Sequence, residues 1–170
     1  IHQGHVLFSQ GNNAFYAGLN ASGDLTEPVV GNPSGGIYSS ATQGGGSNGM
    51  ALLLNGNYFT PMYMVSPGET NKSITAVGPG GEVNPEHYSY AVSQISTSGD
   101  AGRREEWKDN TNSQAVVLSD RVLNSGNETV GEVDPTRQTS IWTTKPGEWR
   151  GGQVYGDNST TFTTTSQISS

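Results

Sequence analysis

The run "SQAVVLSDRVL", residues 113–123, decides the fold. Ala115 to Leu118 are continuously apolar, the signature of a central strand buried on both faces, and such a strand needs a partner on either side. The closing stretch "GEWRGGQVYGDNSTTF", residues 147–162, supplies candidates. A Gly-Gly pair, a β-branched and aromatic run, an Asp157-Asn158 turn and then Thr-Thr-Phe read as strand, tight turn, strand. "HYSYAVSQIS", residues 87–96, alternates with Tyr88, Tyr90 and Val92 on one face. "SIWTTKP", residues 140–146, completes the set. The expectation is an antiparallel sheet of about four strands that contains residues 114–119 and 152–156.

Outward from the sheet, the first residues carry helical spacing. In "IHQGHVLFSQGNNAFYAGL", residues 1–19, Ile1, His5 and Phe8 fall near one face and Gly4 and Leu7 near another, before Gly11-Asn12-Asn13 supplies a stop. Residues 2–10 are therefore expected to be helical, as the last turns of a longer helix. Residues 21–49 are turn-rich, and Gly44-Gly45-Gly46 reads as flexible loop; no P-loop lysine or preceding strand makes it a phosphate cradle. Met50 to Leu54 form an apolar, helix-like turn that breaks at Asn55-Gly56, and the block reads as core. The predicted class is α+β, one helix on an antiparallel sheet with long loops. No repeat at a period of about 20 to 50 residues suggests an array.

Composition bounds the function. A chain of 170 residues is one domain's worth, and 31% hydrophobic residues with 24 glycines suit a loop-rich β-containing domain better than a helical bundle. With 8 Lys+Arg against 15 Asp+Glu, the net charge of -7 argues against nucleic acid or an anionic membrane as main partner. The absence of cysteine excludes a disulfide framework and thiolate zinc sites. Neither a signal peptide nor a long apolar span occurs within the 170 residues.

Several blocks together resemble a known family. "IHQGHVLFSQGNNAFYAGL" is similar to the C-terminal end of the long helix in type IV pilin-like proteins with a prepilin-type cleavage and methylation signal, a family common in planctomycete-type bacteria. "ALLLNGNYFTPMYMVSPGET", "HYSYAV", "EWKDNTNSQAVVLSDR" and "SIWTTKPGEWRGGQVYGDNSTTF" resemble successive blocks of the globular head, most specifically at Ser119-Asp120-Arg121 and Gly156-Asp157-Asn158. The resemblance implies a single pilin-like domain over 1–170, with 1–12 the end of the N-terminal helix and 13–170 the head. It also implies a structural subunit of a type IV pilus-like or type II secretion pseudopilus-like assembly. Such a subunit is anchored in the inner membrane before assembly and displayed at the cell surface afterwards. Its partners are other pilin-like subunits, met through an apolar N-terminal helix absent from these residues, and that segment is its only membrane contact. Two features depart from the pattern. Many relatives carry a His ahead of an Asp-Gly turn, where this chain has Gly147 ahead of Asp157-Asn158, and the leader signal is missing, for which truncation is the simplest explanation.

Candidate chemistry is sparse. His2 and His5 are spaced i,i+3 but lack a third ligand nearby in sequence. His87 has no nucleophile elbow. Glu105-Glu106 and Asp109, beside Arg103-Arg104, read as a salt-bridged loop in preference to a glycosidase carboxylate pair. No enzymatic activity is expected. Asp120-Arg121, at the strand end, is placed to tie loop groups to the sheet. Calcium is the one cofactor to weigh, since pilin-like heads in secretion systems often hold it near the C-terminus. Its candidate ligands are Asp120, Asp157 and Asn158, with Glu132 and Asp134 as further donors. The alternative function is a secreted binding module, for carbohydrate or surface adhesion, with Trp107, Trp149, Tyr155 and Trp142 as exposed stacking platforms.

Overall fold

A computed structural model describes residues 1–26, 45–93, 95, 104–109, 112–124 and 138–164. Two helices, α1 (His2–Gln10) and α2 (Gly45–Asn55), accompany strands β1 (Tyr90–Val92), β2 (Val116–Asp120), β3 (Leu123–Asn124), β4 (Gln138–Thr139), β5 (Gly151–Tyr155) and β6 (Thr160–Thr163). Four strands form one sheet in the order β1-β2-β5-β6, and β3-β4 form a two-stranded ladder. Every pairing is antiparallel. The α+β class and the two strand regions expected at 114–119 and 152–156 are thus present.

The apolar run of residues 115–118 lies in the middle of the sheet because it has two cores to fill. A register shift between Val116 and Leu118 breaks the alternation of β2. A bulge of this kind lets consecutive residues serve the same face. Leu118 joins the cluster built by Met50, Ala51 and Leu54 of α2 with Met64, Val83 and Tyr88. Val117 joins Tyr16, Leu19, Ile95 and Trp107. Val92 and Val154, the flanking positions of β1 and β5, pack against both clusters.

Helix α1 buries Gly4, His5 and Ser9. Gly4 gives room to Tyr58 and Leu53, since a Cβ there would lie 3.4 Å from the Tyr58 Cβ, and Phe8 meets the Tyr58 ring edge-on. The chain then turns through Asn13 and Ala14, both with positive φ, so that Phe15 pairs with Lys108 and the Trp107 indole N–H donates to the Ala17 carbonyl at 3.0 Å.

Two expectations need correction. Gly45 and Gly46 open α2 and are not flexible loop, because the helix is held by tertiary packing of Met50, Leu53 and Leu54 in spite of its poor glycine-rich start. The segment 140–146 is a tight turn closed by a Ser140–Thr143 bridge, not a strand. Ser140 is drawn away from extended pairing because its hydroxyl donates to the Arg150 carbonyl and accepts from the Trp142 N–H.

Candidate functional site, a cleft at the end of the central strand

Strand β2 ends in Asp120, and its partners decide what surrounds that carboxylate. The β1–β2 register sets Tyr90 opposite Asp120. On the other side the Gly152 N–H donates to Asp120 Oδ2 at 2.8 Å, and the Trp142 indole N–H donates to the same oxygen at 2.7 Å. Asp120 is 8% exposed. Gly151 must lack a side chain here, since a Cβ would press on the Trp149 ring and on the Asp120 Cβ at 2.9 Å. Arg121 points its guanidinium elsewhere, with Nη2 donating to Glu69 Oε1 at 2.9 Å. Burial pushes the Glu69 carboxyl up, but donation from the Asn71 N–H and from Arg121, with its charge, and the nearness of the Ser89 hydroxyl outweigh it and hold the group below its ordinary value.

Above this strand end lies a cleft of about 230 Å³ whose walls include His2, Tyr63, Tyr90, Leu118, Asp120 and Val154. Burial, and then the Asp120 charge, raise the Tyr90 phenol above its ordinary range, so its hydroxyl keeps its proton. At the Asp120 end stands Trp142, 49% exposed. Its ring covers Gly68, where a Cβ would come within 3.4 Å, and meets Phe162 edge-on at 6.1 Å. Phe162 is itself opposite Gly152, across the β5–β6 pair. The indole is held by a hydrogen bond on one edge and ring contacts beside it, while Tyr63, 58% exposed, stands on the wall contributed by residues 61–63.

His2 connects the cleft to a buried aromatic cluster. Its ring lies 5.5 Å from Tyr16. His5 lies 5.6 Å from Tyr16 and 5.0 Å from Trp107. Both His5 nitrogens, His2 Nε2 and the Tyr16 hydroxyl are buried without a hydrogen-bond partner. Burial first, then the charge of His2, pushes His5 down to about 3. His2 is also lowered by burial, although Asp109 acts in the opposite sense.

The expected ligand residues are placed differently from one another. Trp107 is 1% exposed and Trp149 3% exposed, so neither offers a stacking face; one is the centre of a core cluster, and the other lies over Gly151. Tyr155 is half-buried and its hydroxyl donates to Gln153 Oε1 at 3.0 Å. Of the tryptophans, Trp142 is the exposed one. The proposed calcium donors are not brought together. Asp120 stands beside the start of β5, and Asp157 and Asn158 follow its end, roughly 15 Å away at the usual rise per residue. Asp157 Oδ1 is occupied by the Ser159 N–H at 2.9 Å and its hydroxyl at 2.6 Å, which lower that carboxyl, and Asn158 adopts φ 66 in the turn. Glu132, Asp134 and Arg103 lie outside the described residues. Among the described residues no group of three His, Asp or Glu side chains could hold a metal ion. His87 Nδ1 accepts the Asn84 N–H at 3.2 Å, which commits it to a turn.

Tyr63, Tyr90 and Phe162 are the site residues that the sequence reading passed over. Tyr90 shows period-two spacing with Tyr88 and Val92, but its place opposite Asp120 follows from strand register; Tyr63 reaches the cleft from a turn and Phe162 meets Trp142 from β6, and no single segment reveals these placements. Comparison with known protein families, characterised proteins and solved structures finds no match for this chain.

Proposed function

We propose that this domain is the surface-displayed head of a filament subunit, of the type IV pilus or type II secretion pseudopilus kind. The observation that carries the reading is the setting of α1. The helix lies at the start of the chain with Gly4, His5 and Ser9 buried and Leu7 outward, and its Val6 packs against the cluster that holds Val117 of the central antiparallel strand. A head so arranged can ride on a helix that continues α1 backwards, and burial of apolar helix surface between subunits would supply association energy at roughly 25 cal/mol per Å². No described helix is long and apolar enough to cross a membrane, so the reading requires the natural chain to carry that segment ahead of Ile1. It assigns no turnover to the domain: His5 is enclosed by aromatic rings and His87 is spent on a turn.

The test is immunogold labelling of intact cells and sheared surface material with antibody against this domain. Regular label along filaments is expected. Label confined to dispersed protein in the medium would overturn the reading.

A further inference from the structure

We infer that the cleft at the end of β2 is a binding site for a small alkylammonium cation, with Asp120 as the counter-ion and Tyr63, Tyr90 and Trp142 as the aromatic surround. The inference is independent of filament assembly and concerns a ligand of the head itself.

Three observations carry it. The first is charge. Asp120 is a buried carboxylate whose two hydrogen bonds come from neutral donors, the Gly152 N–H and the Trp142 indole. Arg121, its neighbour in sequence, is committed to Glu69, and none of the described residues lining the cleft is a lysine or arginine. Burial keeps His2 mainly uncharged near neutrality. Ile1 also lines the cleft, and burial lowers its α-amino group below its ordinary value; the Asp120 carboxylate receives its hydrogen bonds from uncharged donors, which favours a ligand that brings a cation. The second is shape and lining. A cleft of about 230 Å³ has room for one small group, and Ile1, Leu118 and Val154 make much of its wall apolar. The third is the rings: aromatic faces attract ammonium groups electrostatically, and more strongly where water is excluded. Trp142 is already fixed by Asp120, Gly68 and Phe162, so little order has to be imposed on binding.

A neutral sugar fits this lining less well. Its hydroxyls need several directed partners, and those facing Ile1, Leu118 and Val154 would lose water without replacement. An alkyl chain against those residues loses nothing of the kind. The anionic surface, net -7, further enriches cations around the cleft at low salt.

The Trp142 indole N–H is a built-in reporter because it is bonded to the proposed counter-ion. The experiment titrates the 170-residue protein with n-butylammonium chloride and, separately, with methyl glucoside, following that indole signal by nitrogen–proton NMR. Saturable movement with a Kd of about 1 mM is expected for butylammonium at low salt, as befits a ligand of so few atoms. Asp120→Asn keeps an oxygen for both donors and is expected to weaken binding by about tenfold or more, as loss of a charge pair in a partly desolvated site requires. Tyr63→Ala, at an exposed position outside both cores, is expected to weaken it several-fold with an unchanged near-ultraviolet spectrum, and it decides the matter should Asp120→Asn not fold. Saturation by methyl glucoside but not butylammonium, saturation by neither, or unchanged butylammonium affinity in the folded variants would overturn the inference.

Discussion

His5 is the residue at which burial and chemistry conflict most. Its ring nitrogens have no hydrogen-bond partner and its neighbours Tyr16 and Trp107 are aromatic, so the folded protein holds the neutral imidazole and resists the proton. Its pKa falls to about 3 when folded, against about 6.5 in an unfolded chain. Between those values the unfolded state binds the extra proton, so stability is complete above pH 6.5 and is lost as pH falls towards 3. The slope approaches about 1.4 kcal/mol per pH unit, and the whole effect is on the order of 5 kcal/mol. His2 is shifted the same way and adds to it, whereas Glu69, held below its ordinary value, withdraws stability only in the carboxylate range. His5→Leu removes two unpaired polar atoms and the titration together. Urea unfolding at pH 7 and pH 5 should therefore show the variant gaining about 2 kcal/mol on the natural protein between the two conditions. An equal difference at both pH values would show that His5 is not the group responsible. The sequence showed two histidines at i,i+3; it did not show that a loop near residue 107 would enclose one of them, because that contact depends on a turn between Asn13 and Phe15 and on pairing across ninety residues.

At the scale of elements, what the sequence revealed was whatever depended on local pattern. Residues 2–10 carry helical spacing and form α1, and the apolar run with its closing hairpin gives β2, β5 and β6. What it concealed depended on tertiary packing. The bulge that lets Val117 and Leu118 serve adjacent cores has no local signature, and α2 starts in glycines that propensity alone assigns to a loop. Gly49 explains why one of those glycines is needed: a Cβ there would collide with the Ala17 carbonyl oxygen and lie 3.0 Å from its carbon. The obstacle is backbone, which cannot swing aside. Gly49→Ala therefore sets a helix-propensity gain of about 1 kcal/mol against an overpacking cost of about 1–3 kcal/mol. Net destabilisation of up to about 2 kcal/mol is expected, read as a lower urea midpoint. Gly78→Ala, where an added Cβ meets nothing within 4 Å, should be neutral or slightly stabilising and serves as the control. Equal midpoints for the two variants would mean that α2 can slide off Ala17 without penalty. The cleft is legible in part for the same reason: Asp120 reads as a strand end that ties loops to the sheet, but Tyr63 and Tyr90 of the wall, and the Trp142 bonded to Asp120, come from three separate segments.

For the whole molecule, the two described apolar clusters share Val92 and Val154, and the described surface carries its large apolar side chains in small groups, one of them around the cleft. Leu7 is on α1, Met62 and Tyr63 are on one turn, and Trp142 meets Phe162 beside the cleft. A stable interface usually buries about 1,200–2,000 Å² in total with an apolar centre, which these small groups do not provide. Sheet edges are the other route to association. Here β1 has three residues and β6 four, and β6 is mostly threonine, so neither offers a long apolar edge for pairing. A net charge of -7 adds repulsion between copies, strongest at low salt where the screening length is longest. The 170-residue protein is therefore expected to be monomeric. Light scattering after size exclusion should give a mass near 17.9 kDa at both low and high ionic strength. Should association appear only at high salt, charge would be what keeps the copies apart, and Phe162→Thr at the β6 edge should then suppress it. A dimer that survives dilution at low salt would defeat the prediction, because attraction strong enough to overcome that repulsion would require a continuous contact face that the described surface lacks.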